Sequence, residues 1–326
     1  MSDVSLSGRR IFVTLPWPGD ALDRLRATGA DVHVWPSDDA PPHDALVTEA
    51  KRSDALITTV GDPIDEAVCR AGEGRVQIIA QSGVGVDNID REAAASRQIA
   101  VTNAPGVLTD ATADLAFAVM MTVARRVVEA DASVRNGEWS GWHPSGFLGA
   151  DLKGATVGVV GLGRIGSAFA RRCEGFEMRV LYTASSSKPD AEARGYEFME
   201  LNDLLEQSDI VSLHCPLTDA TRGLIGANEL ARMKSGALLI NTARGAVVDT
   251  AALLDSLRSG HLRGVGLDVT DPEPLPADHK LLSFPRVTVT PHIGSASEYA
   301  RTAMIELAVD NVISVLSGGA PIHSVL

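Results

Sequence analysis

Gly161, Gly163 and Gly166 have the spacing G-x-G-x-x-G and directly follow the β-branched apolar run at 157–160. A buried strand that ends in such a turn and continues as a helix points free N–H groups at a pyrophosphate. Gly161 permits the turn, Gly163 lets the backbone touch the phosphates, and Gly166 lets helix and strand pack closely. Glycine-rich turns are common, so it is the strand-and-helix context that points to a dinucleotide. Three later segments place polar residues at the ends of apolar strands: 240–245 carries Arg244, 266–274 carries Glu273, and 290–295 carries His292. Ligands of open α/β sheets collect at the carboxyl ends of the strands, so an arginine, a carboxylate and a histidine are expected to reach one crevice beside the dinucleotide.

The elements that must position these groups alternate. Strands are expected at 11–14, 32–35, 55–58, 77–81 and 99–102, with helices between them, which makes one βα-repeated domain. A second set has strands at 156–160, 179–182, 210–213, 237–241, 264–268 and 287–289, and it holds the nucleotide motif. The fold class is therefore α/β, with two doubly wound parallel-sheet domains and a cleft between them as the small-molecule site. One long helix is expected over 110–136; its stretch 115–124 has a single polar residue, Thr122, and calls for burial on every side, between domains or between subunits. A last helix over 295–317 has no further strand set to cover and is expected to return to the first domain. The predicted boundaries are 1–103 with 294–326 for the substrate (lid) domain and 104–293 for the dinucleotide domain.

Composition narrows the function. Hydrophobic residues make up 45% of the 326 residues, enough for substantial cores, and a net charge of −13 argues against nucleic acid as a partner. Cys69, Cys173 and Cys215 have no metal or redox spacing and read as small buried apolar residues. No cluster of His, Asp or Glu has ligand spacing, so no metal is expected. The N-terminal stretch lacks the apolar core of a secretory signal and no segment is long enough to span a bilayer, so a cytoplasmic protein without membrane contact is expected.

The segments VGVDNID (84–90), NAPGVLTDATADLA (103–116), VGLGRIG (160–166), INTARG (240–245), GLDVTDPEPLP (266–276) and TPHIGSAS (290–297) together resemble the D-2-hydroxyacid dehydrogenase family, and within it the glyoxylate/hydroxypyruvate reductases. The resemblance implies reduction of a small 2-oxo acid by a nicotinamide cofactor. It assigns Arg244 to the substrate carboxylate, where a guanidinium makes a planar two-bond fork, and His292 to the substrate as proton donor. Glu273 then holds the imidazole and favours its charged form. The family also uses the loop after the strand at 77–81 for the carboxylate, with Val84 and Gly85 as donors. It places Asp268 and Thr112 near the nicotinamide carboxamide and His214, Cys215 and Pro216 along the adenine side. Arg164, Ile165, Thr221, Thr242, Ala243 and Gly294 complete the cofactor contacts it implies. His33, His43, His261, His279 and His323 have no motif around them and read as surface or structural, and His143 as a loop residue.

NAD enzymes usually carry an acid about 20 residues past the first glycine to bind the ribose 2′-OH. This chain has none there. Thr183, Ser185, Ser186 and Lys188 stand in the window and suit a 2′-phosphate, so NADP is favoured, with NAD or dual use as the alternative. Trp139 and Trp142 lie after the long helix. They either cap its end or, as the family implies, reach a partner subunit, with Trp142 lining that neighbour's substrate pocket in a homodimer. Two other functions stay open at this point: a dehydrogenase for a different D-2-hydroxy acid, and a non-catalytic dinucleotide-sensing regulator of the same fold. Intact Arg244, Glu273 and His292 argue against the regulator.

Overall fold

The computed structural model describes residues 4–326; the first three residues of the N-terminal stretch read for a targeting signal lie outside the described residues. The chain divides into two compact units. One ends at Leu108 and resumes at Ala296–Leu326, and the other is Thr109–Ser295.

The first unit is built on β1 (Arg10–Val13), β2 (Asp31–Val34), β3 (Ala55–Thr58), β4 (Ile78–Gln81) and β5 (Ala100–Thr102). The sheet is wholly parallel, in the order β2-β1-β3-β4-β5, one of the two common doubly wound orders. Its central strands are apolar throughout because helices cover both faces. The C-terminal helix Glu298–Leu316 is one of these covers and packs on helix Ala21–Ala27 and on β3 and β4. Its Ile305, Ala308, Val309 and Val312 join Ile11, Val13, Ile57 and Ile78 in one core. Ser297 caps the helix by accepting the Ala300 N–H.

The second unit is built on β6 (Thr156–Val160), β7 (Arg179–Thr183), β8 (Glu197–Phe198), β9 (Ile210–Leu213), β10 (Leu238–Asn241), β11 (Gly264–Leu267) and β12 (Val287–Val289). All pairings are parallel, in the order β12-β11-β10-β9-β6-β7-β8. Chain direction across the sheet reverses between β6 and β9, which is where such sheets bind dinucleotides. Strand β8 was not anticipated. It has two residues at the sheet edge, too few to give an alternating pattern.

The long helix expected over 110–136 is two helices, Thr109–Arg125 and Val127–Arg135. Arg126 breaks it with a left-handed backbone, φ +56°. The cause is tertiary: the Ala150 N–H donates to the Ala124 carbonyl, which a continuous helix needs for its own next turn. Burial on every side does not hold either. Ala118 is exposed, and Leu115, Phe117 and Met121 are half-buried. The buried face, with Ala116, Val119, Met120 and Val123, lies on β10 and β11 and on helix Arg164–Glu174. It comes close because β11 offers Gly264 and Gly266 there; a Cβ at Gly266 would stand 2.3 Å from a Val119 methyl. No helix among the described residues is long and apolar enough to cross a membrane.

Candidate active site

Strand β6 is buried along its whole length and delivers Gly161 at the switch between β6 and β9. Gly161 takes φ +94°, and a Cβ there would lie 2.7 Å from the Cys215 nitrogen. A Cβ at Gly166 would lie 2.2 Å from the Gly161 carbonyl and 3.3 Å from His214 Cβ. The turn therefore packs directly on the His214–Cys215 segment that leaves β9. Gly163, at the helix N-cap, faces open space, with Arg164 exposed and Ile165 half-buried at the helix start. This is a backbone cradle, tight behind and open in front, and it fits a pyrophosphate.

The rest of this wall is apolar or unpaired. The His214 imidazole lies against Phe169 and its Nε2 shares a hydrogen bond with Ser212 Oγ at 2.9 Å. Burial drives its pKa down to about 3, so the ring is neutral and unsuited to acid–base work. The Thr242 hydroxyl is buried without a partner, a group that a bound ligand can satisfy. Thr221 Oγ1 donates to the Pro216 carbonyl at 2.6 Å and fixes the loop after β9. Beyond β7, Thr183 is half-buried and Ser185 and Ser186 are exposed. Lys188 holds its place through its N–H, which donates to the buried Tyr182 hydroxyl at 2.8 Å.

Three loops at the carboxyl ends of β10, β11 and β12 come together. After β10, Asn241 shapes the turn: its Nδ2 donates to the Arg244 carbonyl at 2.8 Å and its Oδ1 accepts from the Ala243 N–H at 3.0 Å. The next residue, Gly245, lies so close to the Thr270 peptide that a Cβ would overlap it at 2.0 Å. Only glycine fits, and this contact seats the arginine loop against the glutamate loop. Glu273 Oε2 accepts from the Thr270 N–H at 3.3 Å, and Glu273 Oε1 lies 2.5 Å from His292 Nδ1. Burial works against ionisation of Glu273. The His292 hydrogen bond and charge, the Thr270 N–H and the Arg244 charge outweigh it and hold the carboxyl below its ordinary range. The imidazole Nδ1–H thus donates to a carboxylate, and Nε2 bonds to no group among the described residues.

His292 has a left-handed backbone, φ +52°, a conformation costly for a residue with a Cβ. Asp268, buried at the end of β11, holds it there. Its Oδ1 accepts from Thr290 Oγ1 at 2.7 Å and the Ile293 N–H at 2.8 Å, and its Oδ2 from the Gly294 N–H at 2.8 Å. The His292 N–H adds a bond to the Asp268 carbonyl at 2.9 Å. Thr112 lies beside the same point: a Cβ on Gly294 would be 3.2 Å from Asp268 Oδ2 and from the Thr112 methyl. Asp268, Thr112 and Gly294 are therefore neighbours, as are Arg244, Glu273 and His292.

Val84 and Gly85 belong to the first unit, on the turn after β4. Their N–H groups donate to nothing among the described residues. Asn103, which sequence reasoning passed over, donates from Nδ2 to the Val84 carbonyl at 2.8 Å. Trp142 is 87% exposed and Trp139 68% exposed, so neither ring is buried as a helix cap. The three cysteines are free and buried, and no group of three or more His, Cys, Asp or Glu among the described residues is placed to hold a metal.

A doubly wound nucleotide unit with a histidine–carboxylate pair and an arginine at its strand ends defines a nicotinamide-dependent oxidoreductase. Residues 117–294 match the family described as D-isomer specific 2-hydroxyacid dehydrogenase, NAD binding domain. The glyoxylate reductase of Thermococcus litoralis is 47% identical over 317 residues, 96% of this chain and 95% of that one. A solved structure from Thermus thermophilus superposes with a TM-score of 0.91 at 49% identity, covering 97% of this chain and 100% of the other. The glyoxylate reductase from Paecilomyes thermophila gives a TM-score of 0.87 at 31% identity over 98% of each chain. The chain belongs to the D-isomer specific 2-hydroxyacid dehydrogenase family. It is an NAD(P)-dependent enzyme.

Proposed function

We propose that this protein reduces glyoxylate, or a 2-oxo acid of similar size such as hydroxypyruvate, to the 2-hydroxy acid, with NADPH as the preferred donor. The observation that carries this reading is the His292–Glu273 pair at 2.5 Å within the field of Arg244. The relatives named glyoxylate reductase supply the substrate size.

The Arg244 guanidinium binds the substrate carboxylate through its fork, and the Val84 and Gly85 N–H groups donate to the same anion. His292 Nε2 gives its proton to the carbonyl oxygen as that oxygen becomes a hydroxyl. Glu273 keeps the ring oriented through Nδ1 and compensates its charge, and in the reverse direction it supports His292 as base. The bound reduced nicotinamide supplies the hydride. Gly161, Gly163, Arg164, Ile165 and Gly166 hold its pyrophosphate, and Thr242, Ala243, Asp268, Thr112 and Gly294 flank the ring. His214, Cys215, Pro216 and Thr221 form the adenine wall. Thr183, Ser185, Ser186 and Lys188 receive a 2′-phosphate, because no acid stands there to repel it. The working form is a cytoplasmic homodimer.

The test is oxidation of NADPH by the purified protein with glyoxylate and hydroxypyruvate, followed by absorbance. Turnover with both, lost in His292→Asn, is expected. No oxidation with any small 2-oxo acid overturns the proposal.

A further inference from the structure

Behind the turn 82–86 lies a buried network of side-chain amides that no role above uses. Gln81 is fully buried at the end of β4. Its Oε1 accepts from Thr58 Oγ1 at 2.7 Å, and its Nε2 donates to the Gly85 carbonyl at 3.1 Å and to Asn88 Oδ1 at 2.8 Å. Asn88 Nδ2 donates onward to the carbonyls of Thr59 and Asp62, at 3.0 and 2.8 Å. The loop it grips is itself braced by the buried Asp62, whose Oδ2 accepts from the Thr14 hydroxyl and the Thr59 N–H, both at 2.6 Å. All hydrogen-bonding positions of the Gln81 amide are thus aimed by partners on two other loops.

The consequence follows from peptide planarity. In a trans peptide the C=O and the next N–H point in opposite directions, so whatever fixes the carbonyl aims the N–H. The Gly83 carbonyl accepts from the Ala104 N–H at 3.0 Å, the Val84 carbonyl from Asn103, and the Gly85 carbonyl from Gln81. Three successive carbonyls are therefore tied back. The N–H groups of Val84, Gly85 and Val86, on the other side of those peptides, donate to nothing among the described residues. Successive N–H groups left unused in this way form an anion cradle.

We infer that Gln81 and Asn88 are positioning residues that hold the turn 82–86 in the shape that binds the substrate carboxylate, with the Val86 N–H as a third donor beside Val84 and Gly85. This rests on the proposed carboxylate role of that turn. Gln81 and Asn88 touch no substrate; they act through the peptide between Gly85 and Val86.

The experiment compares Asn88→Ala, Gln81→Met and Gln81→Glu with the parent enzyme. The glutamate variant keeps the shape and the acceptor for Thr58 but lacks the amide donor, and serves where the others fold poorly. The KM for glyoxylate and the inhibition constant for oxamate are expected to rise together by roughly tenfold, the scale of one lost hydrogen bond to a charged group. The KM for NADPH is expected to stay within twofold. A purely structural role lowers the active fraction, and so kcat, while leaving the glyoxylate KM unmoved; that result overturns the inference. A parent that turns over no 2-oxo acid removes the reading on which the inference rests. An active parent whose variants keep its KM defeats the inference alone.

Discussion

Glu273 Oε1 and His292 Nδ1 stand 2.5 Å apart although 19 residues separate them in sequence. The glutamate side chain is 40% exposed and the imidazole 28% exposed, so the pair is partly shielded without being sealed from a substrate. Glu273 is held below the ordinary carboxylate range against the opposing effect of burial. Its folded-state pKa is depressed, so its contribution to stability is present above the unfolded pKa and is lost as pH falls through the lower, folded one. Acid therefore costs both fold and activity when Glu273 protonates. Glu273→Gln keeps the shape but removes the charge that favours imidazolium. Reduction by this variant is expected to fall by about 10²-fold, the lower end for loss of acid catalysis, with the alkaline limb of its pH profile moved to lower pH. Initial rates across pH check this; a parent-like profile refutes it.

Asp268 makes the next relationship testable. Its two carboxylate oxygens accept three hydrogen bonds from Thr290, Ile293 and Gly294, the residues around the strained His292. Asp268→Asn offers one acceptor oxygen and places an NH₂ group against a backbone donor. Leaving such a group buried and unpaired costs about 1–3 kcal/mol. A lower denaturation midpoint of that size is expected, together with slower reduction, because the left-handed turn at His292 loses its brace. Equal midpoints for parent and variant count against the bracing role.

Most of the fold was legible in the sequence, and the reason is visible in β6 and β10. Parallel strands buried on both faces are apolar without interruption, and each ends at a polar residue that marks the crevice. The strand ends thus gave Arg244, Glu273 and His292. The break at Arg126 was not legible, because a carbonyl at Ala124 is captured by an N–H at residue 150, a contact without a local signal. Gln81, Asn88 and Asn103 were missed for a related reason. Their amides serve backbone carbonyls, and only their polarity at the edge of apolar segments hinted at it. Asp268 shows the limit from the other side: sequence places an acid at the strand end but not the three donors that occupy it.

A second acid has the opposite linkage. Burial raises the pKa of Asp62, and the Thr14 and Thr59 hydrogen bonds only partly offset this. For an acid whose folded pKa is raised, the stabilising contribution is full below the unfolded pKa and is lost as pH rises through the folded one. Asp62→Asn keeps an oxygen for Thr14 and Thr59 and removes the titration. The variant is expected to gain stability relative to the parent as pH rises from about 5 to about 8, across the range where a raised carboxyl pKa titrates, read as thermal midpoints at the two pH values. A difference that is constant with pH excludes this linkage.

Cofactor choice turns on the loop after β7. Ser187 is already engaged, its hydroxyl donating to Glu192 at 2.5 Å, which leaves Ser185, Ser186 and Lys188 as the groups able to meet a 2′-phosphate. A carboxylate at Ser185 repels that phosphate and offers an acceptor to a free 2′-OH. Ser185→Asp is expected to shift the NADPH to NADH ratio of kcat/KM by at least about tenfold toward NADH, the scale of one charged contact. Paired kinetics with the two cofactors decide it. An unchanged ratio places the selectivity elsewhere.

The segment 127–148 carries the last prediction. Helix Val127–Arg135 has no buried residue, yet Val127, Val128 and Val134 face solvent, followed by exposed Trp139, Trp142, Phe147 and Leu148. A helix with no apolar face against its own core gains its stability from something else, and a second copy of the chain supplies the matching surface. Association at micromolar concentration is expected, and Val134→Glu together with Trp139→Glu is expected to give a monomer, both read by light scattering. If Trp142 lines the neighbour's substrate pocket, Trp142→Ala changes the ratio of kcat/KM between glyoxylate and bulkier 2-oxo acids several-fold while the NADPH KM stays level. A parent that is monomeric under these conditions defeats the dimer. A dimeric parent with an unaltered substrate ratio in Trp142→Ala confines this segment to assembly.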